Sequence, residues 1–195
     1  MIAFEVTSHT DGDRDLAGGF GSPTRPRSCC IPGIYGEVMT RLTHVDETGA
    51  AHMVDVTGKD VSTRRAVATG LLRTTTQVAE LLAAGALPKG DALAVARVAG
   101  IMAAKRTPDL LPLCHPIALG ALSVDLEVDP DGTVTIRASV KTNDRTGVEM
   151  EALTAVAIAG LTLIDMIKAV DPHALLDQIR VESKEGGATG AWIRE

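Results

Sequence analysis

Apolar and polar residues alternate with a period of two in neighbouring segments, ALSVDLEV at residues 121–128 and TVTIRASVK at residues 133–141. This period places successive side chains on opposite faces of a β-strand. The DPDG between the two segments is typical of a tight turn. The pattern predicts a β-hairpin with one buried face, made by Leu122, Val124, Leu126, Val128, Val134, Ile136, Ala138 and Val140.

Two helices are predicted before the hairpin. The first spans TTQVAELLAAG at residues 75–85 and ends at Gly85. The second spans DALAVARVAGIMAAKR at residues 91–106 and has Asp91 as its N-cap. Because Arg97 is its one polar side chain before the basic C-terminal end, we expect this second helix to be buried on most sides.

The longest predicted helix is TGVEMEALTAVAIAGLTLIDMIKA at residues 146–169. Thr146 and Glu149 fit a capping box at its start. Thr154 and Thr162 are the polar residues of its central part, so a polar face is missing from the pattern. A helix that is apolar on all sides needs a second apolar neighbour besides the sheet, and we expect that neighbour to be another subunit.

Three more segments have extended patterns. RRAVATGLLRT at residues 64–74 and LLDQIRVES at residues 175–183 are predicted strands, and HMVDVT at residues 52–57 is a short strand or an extended lead-in. The element order is strand, two helices, hairpin, helix, strand. This order predicts an α+β sandwich of ferredoxin-like type, with helices packed on one face of an antiparallel sheet.

The composition separates an N-terminal segment from the rest of the chain and argues against several classes of protein. Residues 1–40 are rich in Gly, Pro, Ser and charge and show no period, so they are predicted to be a disordered N-terminal tail before a single domain at residues 41–195. A net charge of −6 and 2% aromatic residues argue against a nucleic-acid partner. No uninterrupted apolar run is long enough for a membrane span. Three cysteines without a disulfide pattern favour the reducing cytoplasm.

The segment KRTPDLLPLCHP at residues 105–116 is the first candidate site. It allows three interpretations: a metal site completed by His44, His52 or Asp46, a nucleophilic Cys114, or a stiff loop that directs His115 into a cavity. Adjacent Cys and His are poor chelate spacing, and no CxxC or HExxH motif is present. Prolines on both sides restrict the backbone, which favours the stiff loop.

Polar residues at the ends of the apolar helices form the second candidate site. Asp165 and Lys168 are three residues apart and share a helix face, as a catalytic pair or as a surface ion pair. Lys89 lies in the loop LPKGD, where solvation is the simpler interpretation. Glu151 precedes Asp165 by four helical turns, or about 21 Å, so one small pocket in one chain cannot use both. Either the ligand is long, or two subunits contribute to one site.

The chain resembles the cyclic pyranopterin monophosphate synthase family, the C protein (MoaC) of the molybdenum cofactor pathway. The resemblance covers residues 41–190 and is carried by MVDVTGKDVSTRRAVATG, KGDALAVARVAGIMAAKRTPDLLPLCHP, TGVEMEALTAVAIAGLTLIDMIKA and KEGGATG. It implies a ferredoxin-like protomer, a cytoplasmic homohexamer built as a trimer of dimers, and active sites at subunit interfaces. The implied reaction converts (8S)-3′,8-cyclo-7,8-dihydroguanosine 5′-triphosphate to cyclic pyranopterin monophosphate with release of pyrophosphate.

The resemblance also implies roles for individual residues. Asp165, Lys168 and Lys89 take the catalytic positions, as an orienting carboxylate or base and two proton donors. Implied substrate-binding residues are Leu113, Cys114, His115, Met150, Glu151, Lys105 and Lys184, with Glu151 on the guanine-derived ring and His115, Lys105 or Lys184 on phosphate. The family implies no metal in the protein, although Mg²⁺ can accompany the triphosphate. Ala188 stands where the family often has a lysine, which weakens a phosphate role for the closing glycine loop.

Two other classes of function remain as alternatives. One is a nucleotide-binding regulator with this scaffold and no turnover; such a protein needs the basic residues but has no use for Asp165. The other is a zinc hydrolase that uses Cys114, His115 and His52, for which bound metal is the discriminating observation.

Overall fold

A computed structural model describes residues 44–45, 48–188 and 190–195. The described residues belong to a compact unit that spans Arg41–Glu195. The predicted tail at residues 1–40, and Asp46 of the proposed metal set, lie outside the described residues.

The unit is an open five-stranded antiparallel sheet with four helices, in the order β1, α1, α2, α3, β2, β3, α4, β4, β5 along the chain and β2-β3-β1-β4-β5 across the sheet. The first four strands have the arrangement of a ferredoxin-like fold, which confirms the predicted class. The elements are β1 (Ser62–Arg73), α1 (Thr76–Ala83), α2 (Ala92–Ala104), α3 (Thr107–Leu110), β2 (Leu119–Val128), β3 (Thr133–Asp144), α4 (Glu149–Ile167), β4 (Leu175–Glu185) and β5 (Trp192–Ile193).

The hairpin of β2 and β3 forms as predicted, with Leu122 opposite Val140 and Leu126 opposite Ile136. The inward-facing residues of β3 are fully buried. The turn ends at Gly132, whose φ is +94°. A Cβ at Gly132 would lie 2.2 Å from the carbonyl oxygen of Thr74, so only glycine fits where the turn meets the end of β1.

The two predicted helices before the hairpin are also confirmed. The side chain of Thr75 caps α1 by accepting a bond from the Val78 backbone N–H. Asp91 caps α2, with Oδ1 2.9 Å from the Ala94 nitrogen. The chain leaves α1 through Gly85, whose φ of +62° belongs to the left-handed region that ends many helices.

Helix α4 lies against β1, β3 and β4, and its second apolar neighbour is α2. The two helices approach closely because α2 has Gly100 at the contact. A Cβ there would lie 2.8 Å from the Ala155 carbonyl oxygen of α4. The expectation that another subunit supplies this neighbour is therefore wrong for the face that α2 covers. By length and composition alone α4 could cross a membrane, but half of it is buried in the described fold, as in a core helix.

The outer face of α2 corrects a second prediction. Val95, Val98 and Met102 are 46%, 55% and 57% exposed, so within one chain α2 is not buried on most sides. The reason is geometric: α4 and β2 cover one side of α2, and none of the described residues covers the other. Leu161 of α4 is also 55% exposed.

The start of α4 differs from the predicted capping box. The helix begins at Glu149, Val148 is its N-cap, and Thr146 lies outside it. The Glu149 carboxylate folds back over Gly147 and forms an ion pair of 3.3 Å with Lys184, so it does not complete a box with Thr146.

Differences at the chain ends are small. Residues 52–57 do not form a strand, although Val45 and Ala51 form an isolated bridge before them. Strand β4 is two residues longer than predicted. The two-residue β5 was not predicted, since it forms only by pairing with Ser183 and Lys184 of β4.

Candidate functional site

A cavity of about 530 Å³ opens at the N-terminal end of α4. Three parts of the chain form its wall: the segment before β1, the loop after α3, and the first turn of α4. The lining residues are His44, Val54, Val56, Lys59, Leu113, Cys114, His115, Ile117, Thr146, Gly147, Glu149, Met150 and Glu151. The LCH and ME segments singled out in the sequence therefore meet in one cavity.

The loop that carries Cys114 and His115 is held by local hydrogen bonds. The Thr107 hydroxyl donates to the Ala104 carbonyl at 3.0 Å and joins α3 to the end of α2. The backbone of Leu111 then donates to Thr107, and that of Cys114 donates to Leu111. This chain of turns supports the stiff-loop interpretation of the segment.

Glu151 is the buried titratable group of the cavity. It is 3% exposed, and its Oε2 has no hydrogen-bond partner within the described part of the chain. Burial raises the pKa of Glu151 to about 7, a backbone hydrogen bond opposes this shift, and the negative charge of Glu149 adds to it. Near neutral pH this carboxyl can therefore both hold and release a proton.

Cys114 lies beside Glu151 in the same wall. Burial raises the pKa of the Cys114 thiol above its ordinary value, and the negative charge of Glu151 raises it further. A nucleophilic cysteine needs the opposite shift, towards the thiolate. The surroundings of Cys114 thus give no support to the nucleophile interpretation.

Residues 53–59 contribute Val54, Val56 and Lys59 to the cavity wall, and we call this segment the strap. Nε2 of His115 lies 2.8 Å from the Val54 carbonyl oxygen near its start. Nε of Arg145 donates to the Lys59 carbonyl oxygen at 2.9 Å at its end. Two side chains from other parts of the fold therefore hold the strap in place.

Lys184 and Arg64 are not among the residues that line the cavity, but each contacts a segment next to it. Lys184 is in β4 and is paired with Glu149 rather than placed in a mobile tail. Arg64 donates to the Asp144 carbonyl at 2.9 Å. A Cβ at Gly187 would lie 2.3 Å from the Arg64 guanidinium, so the closing glycine loop folds directly over this arginine.

Sequence reasoning missed Lys59, Arg64 and Arg145. One signal could have found Arg64. It lies two and four residues before Ala66 and Ala68, on the face of β1 that these buried alanines occupy, and a charged residue on such a face is unusual. Lys105, by contrast, was predicted to bind substrate, but it is an exposed C-cap of α2 and does not line the cavity.

A second cluster lies at the other end of α4. Nζ of Lys168 is 2.7 Å from one carboxylate oxygen of Asp165, and Nζ of Lys89 is 3.3 Å from the other. Lys89 also donates to the Asp165 main-chain carbonyl at 2.6 Å. Hydrogen bonds from Lys168, and then from Lys89, lower the pKa of Asp165. The structure thus brings together all three residues predicted to be catalytic.

The two clusters are separate within one chain. Asp165 follows Glu151 by fourteen residues of continuous helix, which corresponds to about 21 Å along the axis. The carboxylate of Asp165 is 59% exposed, and the amines of Lys89 and Lys168 are also open to solvent. A compact ligand in the cavity of a chain therefore cannot reach the lysines of the same chain.

The zinc alternative gains no support. In the part of the chain that the structure describes, no three His, Cys, Asp or Glu side chains are placed to share a metal ion. His52, which was proposed as a ligand beside Cys114 and His115, is not among the residues that line the cavity.

Comparisons with known proteins identify close relatives. The sequence model of the MoaC family matches residues 53–187. The chain is 63% identical over 156 residues to the cyclic pyranopterin monophosphate synthase of a Nocardioides species, covering 79% of this chain and 96% of the relative. It is 63% identical over 153 residues to cyclic pyranopterin monophosphate synthase 2 of Mycobacterium tuberculosis strain H37Rv, covering 78% and 91%. The Corynebacterium glutamicum synthase is 60% identical over 154 residues, covering 79% and 98%.

Proposed function

The chain belongs to the MoaC family, and on that premise we propose that it is a cyclic pyranopterin monophosphate synthase of molybdenum cofactor biosynthesis. It acts on (8S)-3′,8-cyclo-7,8-dihydroguanosine 5′-triphosphate, opens the five-membered ring of the purine, closes the pyranopterin and releases pyrophosphate. The observation that carries the proposal is the acid–base set: a buried carboxyl at Glu151 and two lysines on Asp165, all within the segments shared with the family.

The cavity suits the ring system of the substrate. Its wall combines apolar side chains such as Val54 and Ile117 with the buried carboxyl of Glu151. A guanine-derived ring in this cavity can hydrogen-bond to the free Oε2 of Glu151, which otherwise stays unsatisfied. Because the central part of the chain has no aromatic residue, hydrogen bonds rather than stacking hold the ring.

The lysine cluster suits the chemistry. Lys89 and Lys168 donate protons during ring opening and stabilise the charge of the departing pyrophosphate. Asp165 lies between the two ammonium groups and orients them. A binding-only regulator would have no use for a carboxylate among phosphate-binding lysines, since it would repel the ligand, so the cluster favours an enzyme.

One active site takes its residues from two subunits. The cavity of one chain and the lysine cluster of a neighbour have to converge, because about 21 Å of helix separates them within a chain. The exposed apolar stripe of α2, formed by Val95, Val98 and Met102, offers a surface for such a neighbour. We place the enzyme in the cytoplasm as a homohexamer, a trimer of dimers.

The remaining phosphate contacts come from the basic edge of the cavity. Lys184, paired with Glu149 of the lining, and Arg64, bonded to the Asp144 carbonyl, make up this edge without lining the cavity itself. Lys105 is also absent from the lining of its own chain, and we assign it to the site of another subunit. Arg64 lies against Gly187 next to Ala188, the position where the family often has a lysine, and supplies positive charge in its place. Mg²⁺ bound to the triphosphate would add further charge neutralisation.

Incubation of the purified chain with the cyclic dihydro-GTP tests the proposal. We expect stoichiometric pyrophosphate and cyclic pyranopterin monophosphate, and we expect Lys89→Ala to lower kcat by about a hundredfold or more. Lys141→Ala, an exposed lysine of β3, is the matched control and retains turnover. Near-normal turnover by Lys89→Ala, or no product from the unaltered chain, would contradict the proposal.

A further inference from the structure

His115 contacts the strap through its own ring. Nε2 lies 2.8 Å from the Val54 carbonyl oxygen. A carbonyl oxygen can only accept a hydrogen bond, so Nε2 has to carry the proton. In a neutral imidazole the other ring nitrogen, Nδ1, is then unprotonated and can only accept.

The strap that carries the Val54 carbonyl has further bonds besides its contact with His115. Arg145 binds the Lys59 carbonyl at the far end of the strap. Within the strap, Asp55 Oδ1 accepts from the Thr57 nitrogen at 2.8 Å, and the Lys59 nitrogen donates to the Val56 carbonyl at 3.0 Å. These bonds restrict the strap at residues 55–59, directly after Val54, and His115 adds the contact at Val54 itself.

We propose that the Val54 carbonyl sets the tautomer of His115, so that this histidine meets the substrate with an unprotonated Nδ1. The inference deepens the proposed function and rests on it. Val54 is a positioning residue that acts through its backbone. The substrate atom that His115 contacts is then an N–H or O–H of the ring system, and not a phosphate oxygen.

The surroundings of His115 agree with this assignment. An unprotonated Nδ1 and an anionic phosphate oxygen both present lone pairs and repel each other. The cavity that contains His115 has Lys59 in its lining but neither Lys89 nor Lys168, the two lysines proposed to stabilise the departing pyrophosphate. Glu151 does line it, and its raised pKa lets it keep a proton and donate from Oε2. Nδ1 of His115 as an acceptor and Oε2 of Glu151 as a donor match the N–H and C=O groups along the edge of an amide-like ring.

Neutron diffraction from ligand-free crystals of the full chain at pH 8 tests the tautomer directly. We expect a deuteron on Nε2 of His115 and none on Nδ1. A deuteron on Nδ1, alone or together with one on Nε2, would overturn the proposal. His52 and His173 are exposed, and in the same crystals they serve as an internal reference for how clearly a deuteron on a histidine ring is seen.

Hydrogen exchange in the strap tests whether the contact exists in solution. The amide nitrogen of Gln reaches the position of Nε2, whereas that of Asn reaches only the position of Nδ1. We therefore expect His115→Asn to speed amide exchange over residues 53–59 by about tenfold, and His115→Gln to leave it within about threefold. Equal exchange in both variants would refute the contact.

Both measurements use the ligand-free protein, so they are independent of turnover. A chain that shows the expected tautomer but releases no pyrophosphate refutes the proposed function alone. A chain that turns over the cyclic dihydro-GTP with a proton on Nδ1 refutes this inference alone.

Discussion

At the scale of single residues, the cavity and the lysine cluster place carboxyl groups in opposite environments. Glu151 is buried without a partner for Oε2, whereas Asp165 is exposed between two ammonium groups. Burial disfavours the charged form of a carboxyl and neighbouring cations favour it. The pKa of Glu151 is therefore raised and that of Asp165 lowered. The two clusters thus present one carboxyl that readily keeps a proton and one that favours the ionised form.

Glu151 makes the stability of the protein depend on pH. Its pKa rises from the ordinary 4.5 to about 7 in the folded chain, so between these values the folded state binds more protons than the unfolded state. Stability then decreases as pH rises through this window, by up to about 3 kcal/mol. Urea unfolding at pH 5 and pH 8.5 should show this loss, and Glu151→Gln should reduce it. Parallel pH curves for the two proteins would refute the shift.

We expect a substitution of Asp165 to affect activity strongly and stability little. Asp165→Asn removes the anion that orients Lys89 and Lys168, and we expect turnover to decrease by about a hundredfold or more. Thermal unfolding should change little, because ion pairs that are open to solvent add little to stability. Asp109→Asn breaks another exposed i,i+3 pair, with Arg106, and should leave turnover unchanged. A large decrease in stability of Asp165→Asn would mean that the cluster is structural.

At the scale of elements, the contact between α2 and α4 positions the two clusters. Helix α2 begins shortly after Lys89, ends shortly before the loop of His115, and packs against α4. Because α4 carries Glu151 at its start and Asp165 near its end, any shift between these helices changes the lysine cluster and the cavity wall together.

Gly100 controls this contact. The Cβ of Gly100→Ala would lie 2.8 Å from a backbone oxygen of α4, and a backbone atom cannot move aside as a side chain can. We expect the free energy of unfolding to decrease by about 1–3 kcal/mol, as measured by chemical denaturation. Gly58→Ala is the control, since a Cβ there would meet nothing within 4 Å. Equal stability of the two variants would show that the helices can separate at little cost.

Also at this scale, sequence patterns located most elements but not all of their ends. The hairpin, α1, α2, β1 and β4 follow from local periodicity and caps, and all of them form. The capping box at Thr146 failed because Glu149 prefers Lys184, a residue of a distant strand. Strand β5 was missed because two residues have no period, and their pairing with β4 decides their structure.

At the scale of the whole molecule, the proposed sharing of sites between subunits has a quantitative consequence. Consider a two-fold dimer in which each site takes Glu151 from one chain and Asp165 from the other. A heterodimer of one Glu151→Ala chain and one Asp165→Asn chain then keeps one intact site of two. Random mixing makes half of the dimers heterodimers. We therefore expect about a quarter of the unaltered activity after denaturation and refolding of the mixed variants. No recovery, with normal assembly, would mean that each chain works alone.

The apolar stripe of α2 is the proposed contact surface for assembly. Val98→Asp and Met102→Asp place charges on residues that are exposed in a single chain, so the protomer should still fold. We expect smaller particles by light scattering and loss of turnover, because burial of an unpaired charge in an interface is costly. Glu80→Lys on the exposed side of α1 is the control. An unchanged particle size would place the interface elsewhere.

The sequence by itself determined the fold class, the positions of the main strands and helices, the family resemblance and the pairing of Asp165 with Lys168. These properties depend on local spacing, which a linear pattern records. Only the tertiary structure decided that Lys89 reaches Asp165 across 76 residues, that Glu151 is buried without a partner, and that His115 binds the strap. Each of these depends on how distant segments pack, and burial, with the pKa shifts that it causes, is a property of that packing rather than of spacing along the chain.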